Sequence, residues 1–286
     1  MWERAMDEMP IGVMTWVLGD PFTAVKLAQD VGVETMQLGC PREEYSTGEK
    51  LREFKNFVEQ SGIRITMIFC GYEGENYADV KSIRETVGFR NPKLRTVRIE
   101  RTFQISDFAK RLGVKAIAAH IGFVPEDSSE HLFNEMIEVV RKIADYCARN
   151  GQYFVLETGQ ESARTLARFI ETVGKDNVRV NFDPANMLYY GSGDPIEALE
   201  LLIQYIIGVH CKDVKMPSEK QREIEEVSFG EGNVGAERFI RKLNELGYKG
   251  PLTIEREVTD PQVQIRDIIK GKKLIEELKK NLATSH

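Results

Sequence analysis

The sequence predicts an α/β protein, a single (β/α)8 TIM barrel over residues 1–286, and three observations carry that reading. The length of 286 residues is near that of such a barrel, although length alone also admits two smaller domains. Short apolar, β-branched runs alternate strictly with helix-length segments, which implies parallel strands joined by helical crossovers. No stretch of linker composition breaks the alternation. Eight such units favour a closed barrel over a doubly wound sheet, which pattern alone leaves open.

Taken in order, Ile11–Trp16 is an apolar run closed by Leu18-Gly19-Asp20-Pro21, and Phe22–Asp30 has helical spacing. Val33–Leu38 is the second strand, ending at Gly39-Cys40-Pro41. Leu51, Phe54, Phe57 and Val58 give Gly48–Gln60 a helical face, stopped by Ser61-Gly62, and Ile63–Phe69 is the third strand. The polar segment Gly71–Pro92 is a long loop of the kind that often carries function. Lys93–Leu112 is a helix with Gly113 as its C-cap, followed by strand Val114–His120. Ser129–Arg149 is a helix ended by Asn150-Gly151, and Tyr153–Glu157 is the fifth strand. Glu161–Val173 is a helix, and Val178–Phe182 the sixth strand. Asp194-Pro195 pairs an N-cap with proline at the first helical position, opening a helix to about Gln204. Ile206–His210 is the seventh strand. A second long, charged loop runs over Cys211–Val234. Helix Ala236–Leu246, strand Pro251–Ile254 and the amphipathic helix Val263–Leu282 complete the set.

Composition is that of an ordinary globular protein with enough apolar residues for a sizeable core. Lys+Arg 39 against Asp+Glu 45 gives a formal net charge of −6, which disfavours a general phosphate-backbone binder and so a nucleic-acid partner. No run approaches the roughly 20 apolar residues of a membrane helix. The acidic start MWERAMDEMP lacks the apolar core of a signal peptide. Cys40, Cys70, Cys147 and Cys211 form no CxxC and no disulfide framework, and read as small, mostly buried thiols. The expectation is a reduced, cytoplasmic protein.

The chemistry is concentrated at strand ends. An apolar strand has no local reason to finish on an acid, yet the fifth strand ends in Glu157 and the sixth in Asp183. The seventh ends in His210, the last in Glu255, and upstream KAIAAHIG ends in His120. In a barrel the C-terminal strand ends form the catalytic face, so these groups converge on one mouth. Carboxylates and imidazoles on separate rigid strands suit a divalent cation: the oxygens accept manganese, magnesium or cobalt, and the histidines extend the range to zinc or iron. Each residue also has a plainer use. His120 can serve as a hydrogen-bonding residue, Asp183 before Pro184 as a helix cap, and Glu255 as a rim partner of Arg256. All the plain uses holding together at successive strand ends is the weaker explanation.

LETG, NFDPAN, VHCKD, FGEG and GYKGPLTIERE resemble the xylose isomerase-like barrel superfamily of sugar and sugar-phosphate isomerases and epimerases, over about Ile11 to Leu282. The resemblance to ketose 3-epimerases implies one divalent metal ion (Mn, Zn, Co or Mg) held by Glu157, Asp183, His210 and Glu255. It also implies that Glu157 and Glu255 flank a small sugar or sugar phosphate as catalytic acid and base. The chemistry agrees. Removing a proton beside a carbonyl builds charge on its oxygen, which a cation stabilises, while one glutamate takes the proton and the other returns it. The sugar-reading residues depart from that pattern. Asn186 and Met216 stand where those epimerases carry histidine and arginine, and Ala163 replaces a further glutamate, although Glu161 lies near enough to reach inward. Lys212 is a candidate for a carboxylate, phosphate or hydroxyl, or a rim lysine paired with an acid. Trp16 is a candidate for stacking on a sugar, or a packing residue of the barrel top.

The first rival is a dehydratase of an inosose or keto-sugar acid on the same metal site. An apurinic endonuclease is a remote rival, because its zinc cluster needs histidines that Gln221–Gly232 lacks. A barrel that binds sugar without turnover is the non-enzyme alternative. Asp213 and Glu257 are the residues that a second metal would need.

Overall fold

The computed structural model describes residues 8–16, 19–218 and 223–284. Most of the N-terminal decapeptide, Leu18 of the first turn and Gln221 of the second long loop lie outside that range. Eight strands close into one parallel barrel: β1 (Ile11–Thr15), β2 (Thr35–Gly39), β3 (Arg64–Phe69), β4 (Ala116–Ala119), β5 (Tyr153–Glu157), β6 (Val178–Phe182), β7 (Ile206–Cys211) and β10 (Leu252–Ile254). Strand β10 pairs with both β7 and β1, which closes the ring. The predicted fold class therefore holds.

Helices α1 (Pro21–Asp30), α2 (Gly48–Ser61), α4 (Pro92–Leu112), α5 (His131–Arg149), α6 (Ala163–Val173), α8 (Pro195–Leu202), α9 (Ala236–Glu245) and α10 (Pro261–Thr284) follow the barrel strands. Their apolar faces meet the outer wall of the barrel, where Phe54, Phe108, Phe133, Phe169, Phe182 and Phe239 are all buried in one continuous core. Burying a phenylalanine in this way contributes about 2–3 kcal/mol each. Inside the ring the apolar filling is smaller: Met14, Met67, Phe69, Ala116, Ala118 and Val155. The rest of the interior is polar, with Gln37, Asn181, His210 and Thr253 wholly buried.

Cap chemistry explains where several elements begin. Asp194 Oδ1 accepts from the backbone N–H of Ile196 at 2.7 Å and opens α8, as its Asp-Pro pair predicts. The sixth helix starts at Ala163 rather than Glu161, because Ser162 takes the N-cap and accepts from Thr165 N. Gly113 closes α4 as predicted. Strand β4 is shorter than Val114–His120, since the backbone N–H of Val114 returns to Ala109 O at the helix end.

Both long loops hold structure that periodicity did not reveal. Within Gly71–Pro92 lies α3 (Val80–Thr86), capped by Asp79 through Ser82 N at 2.8 Å. Within Cys211–Val234, β8 (Asp213–Lys215) and β9 (Glu225–Val227) form an antiparallel hairpin. A further short helix, α7 (Pro184–Tyr190), follows Asp183 directly. Among the described residues no helix is long and apolar enough to cross a membrane. Cys70, Cys147 and Cys211 are buried, Cys40 is half-buried, and all four are free thiols.

Candidate metal centre at the barrel mouth

Strand direction places the C-terminal residues of β5, β6, β7 and β10 at one end of the barrel. Glu157 ends β5, Asp183 follows β6, His210 lies near the end of β7 and Glu255 follows β10. One donor atom from each lies within 4.8 Å of every other, and all four residues are buried. The imidazole nitrogen Nδ1 of His210 is the meeting point: Glu157 Oε1 lies 2.8 Å away, Glu255 Oε2 3.1 Å and Asp183 Oδ2 3.4 Å.

Ionised carboxylates have only lone pairs to offer one another, so the convergence of three in a buried space favours positive charge among them. A divalent ion fits this donor set of three oxygens and one nitrogen. The electrostatics point the same way. Burial would push the His210 imidazole down, yet Glu255, Glu157 and Asp183 together hold its proton well above the ordinary range. That proton stands in for positive charge the acids demand.

Each ligand candidate is held from behind. Asp183 has two uses at once: Oδ1 accepts from Asn186 N at 2.9 Å and caps α7, while Oδ2 faces His210. Its backbone N–H donates to Thr158 Oγ1 at 2.7 Å. Both readings of Asp183, cap and ligand, are therefore compatible. His120 lies 2.8 Å from Glu157 through Nε2, on the oxygen that His210 does not use. Burial opposes charge on His120, but Glu157 outweighs it and raises the imidazole to about 9. Glu157 itself is buried, which alone would raise its carboxyl, and the two imidazoles instead hold it well below the usual carboxylate range.

Lys212 takes the paired-lysine reading. Its Nζ lies 3.1 Å from Glu255 Oε2, 2.7 Å from Glu257 Oε2 and 3.7 Å from Glu226 Oε2. Burial disfavours its charge, and Glu255 and Glu257 together more than restore it. Asp213 is committed elsewhere. It accepts backbone N–H groups from Val214, Gly230, Gly232 and Val234, each near 3 Å, and so pins the far end of the hairpin segment. A carboxylate so engaged, beside a Glu257 bound to Lys212, is no ready-made second metal site.

The remaining candidates ring the mouth. Trp16 is 37% exposed and meets the edge of Phe69, which in turn stacks on His210 with ring centroids 5.5 Å apart. Tyr77, in the first long loop, lies over His120 at 5.8 Å. Asn186 is half-buried on α7 and packs against Gly159. Gly159 sits at φ +137°, where a Cβ would lie 2.5 Å from that of Asn186, so the LETG turn needs glycine on both counts. Glu161 is buried and turned toward the β4–α5 connection, where burial raises its carboxyl to about 8 against the help of the Val124 N–H.

Sequence reasoning missed the groups behind His210. Its Nε2 lies 2.7 Å from Gln37 Oε1, and Gln37 Nε2 donates to Asn181 Oδ1 at 2.9 Å. The available signal was an amide inside each of two short strands, TMQLG and VRVNF.

A parallel barrel with this donor set at its mouth defines a class: barrels fit to hold one divalent ion where their strands end. More particularly, the family model described as xylose isomerase-like TIM barrel matches residues 25–280, and the chain belongs to that family. A crystal structure described as a xylose isomerase domain protein from Planctomyces limnophilus superposes with a TM-score of 0.91 at 41% identity, covering 97% of this chain and 99% of that one. A D-tagatose 3-epimerase-like protein shares the fold at 19% identity, with a TM-score of 0.75 over 97% of this chain and 99% of its own. An inosose dehydratase from Clostridium botulinum is 28% identical over 134 residues, 42% of this chain and 44% of the relative. The chain spans less than two thirds of the length of the curated relatives it matches.

Proposed function

We propose that the protein is a divalent-metal-dependent isomerase or epimerase of a small sugar or sugar phosphate, with Glu157 and Glu255 exchanging the substrate proton. One observation carries the reading. The two glutamates stand on β5 and β10, on either side of β6 and β7, and both reach the same point at His210 Nδ1. Glu157, Asp183, His210 through Nδ1 and Glu255 would hold one ion, manganese, zinc, cobalt or magnesium. When bound, that ion would supply Lewis-acid polarisation of a carbonyl.

The residues supply the rest. Two carboxylates flanking the ligand set can meet opposite faces of a substrate carbon, which is the arrangement epimerisation needs. His120 holds one oxygen of Glu157 and fixes how its carboxylate is turned. Lys212 does the same for Glu255. Trp16 and Tyr77 offer exposed aromatic faces above the site for the apolar side of a sugar ring. Asn186 completes the proposed substrate-facing set, while Lys212 acts through Glu255 and Glu161 faces the β4–α5 connection.

The test is turnover in deuterated water of a panel of ketoses and ketose phosphates by metal-loaded protein. Proton exchange through the glutamates labels the carbon that changes configuration, and an unlabelled product would instead indicate hydride transfer between carbons. A second reading, dehydration of an inosose or keto-sugar acid, draws support from the inosose dehydratase relative and from Lys212, a buried ammonium beside Glu255 placed to assist a departing hydroxyl. Loss of water with a new enone absorbance in the same panel would select it.

A further inference from the structure

We propose that Gln37 is a positioning residue that decides which nitrogen of His210 faces the three carboxylates. A neutral imidazole carries one N–H, and the partner of one nitrogen determines what the other can do. The Gln37 carbonyl Oε1 lies 2.7 Å from Nε2 and accepts a hydrogen bond from its N–H, which leaves the lone pair of Nδ1 for a metal ion. The inference rests on the metal centre proposed above.

Three features show that this contact is built in. First, Gln37 is oriented: its amide nitrogen donates to Asn181 Oδ1 at 2.9 Å, so its carbonyl is the atom left for His210. Second, the chain crosses the barrel. Gln37 stands on β2 and Asn181 on β6, on opposite walls, and Gln37, Asn181 and His210 are each 0% exposed. Third, space has been left for it. Gly208 pairs with Asn181 in the sheet, and a Cβ on Gly208 would lie 2.5 Å from Asn181 Oδ1 and 3.1 Å from Gln37 Nε2. Any side chain at 208 would displace the amide pair. A wholly buried amide chain costs desolvation that apolar residues avoid, so a packing role alone does not account for it.

Gln37→Met and Gln37→Glu separate positioning from packing, because the two roles order the variants oppositely. Methionine keeps the volume and removes the acceptor. Glutamate keeps an acceptor for Nε2, and Asn181 can turn its amide to donate from Nδ2, which has no partner at present. Positioning predicts that Gln37→Met weakens Co2+ or Mn2+ binding about 10–100-fold in chelator competition, while Gln37→Glu stays within a few-fold of the wild type. Wild-type affinity in Gln37→Met, or equal loss in both variants, overturns the proposal. A direct readout needs no variant: nitrogen NMR of the zinc-loaded protein should find the His210 proton on Nε2, and finding it on Nδ1 overturns the proposal. If the wild type binds no divalent ion, the proposed function falls together with this inference. If wild type and Gln37→Met bind alike, only the positioning role falls.

Discussion

Asp183 joins two tasks in one carboxylate, and two substitutions pull them apart. Asn at this position keeps an N-cap acceptor for Asn186 N and removes the charge that faces His210; Ala removes both. Losing the cap costs about 1 kcal/mol, so without metal the Ala variant should melt lower while the Asn variant stays close to wild type. With metal the comparison changes. An ion at 100 times its dissociation constant stabilises the folded state by about 2.7 kcal/mol. A chain of 286 residues unfolds with an entropy of about 0.6 kcal/mol/K, so the wild-type Tm should rise by about 4–5 °C. If losing the Asp183 charge weakens binding about 1,000-fold, the same ion concentration stabilises the variant by less than about 0.1 kcal/mol. Thermal melts of wild type, Asp183→Asn and Asp183→Ala with and without Mn2+ make the measurement. An Asn variant that gains the full wild-type shift would refute the assignment of Asp183 as a ligand.

Other outcomes follow from the same geometry. Lys212→Met strips the cation from two acids it bonds directly, of which Glu255 is buried, and should lower stability by about 3 kcal/mol in urea unfolding; a neutral result would mean the acids find other partners. Asp213→Ala leaves four backbone N–H groups without their acceptor and should cost at least about 2 kcal/mol while metal affinity stays at the wild-type value; a fall in metal stoichiometry would reinstate a second ion. Folding raises the Glu161 carboxyl from its ordinary value of 4.5 to about 8, so its contribution is present at low pH and is lost as pH rises between those values. Glu161→Gln should therefore raise Tm at pH 8 and change it little at pH 5; equal shifts at both would show that the carboxyl is not protonated in the fold.

How much could be read in advance depended on whether a residue's role was local. Glu157, Asp183, His210 and Glu255 were legible because a charged or imidazole side chain closing an apolar strand contradicts its own surroundings. Gln37 and Asn181 were not, since an uncharged amide inside a strand looks like an ordinary surface position until the barrel closes around it. Helix α7 escaped because seven residues are too few for periodicity to register, and its start is set by the same Asp183 that drew attention as a ligand. The β8–β9 hairpin escaped because its strands are three residues each and Asp213 anchors its closing segment. Lys212 was recognised as significant, yet only the fold shows that Glu226, far along the hairpin, joins Glu255 and Glu257 around it.

The ligand candidates all come from one contiguous arc of the ring, β5, β6, β7 and β10, whereas the arc from β1 to β3 offers Trp16, Phe69 and the loop bearing Tyr77. A molecule gripped at one end by the charged arc must extend its other end over the aromatic one. On the proposed function, the proton-transferring groups and the aromatic faces then lie on separate arcs of the same circle. If the proposed function holds, exchanging the loops after β1 and β3 should change the substrate preference while leaving every proposed metal ligand where it stands.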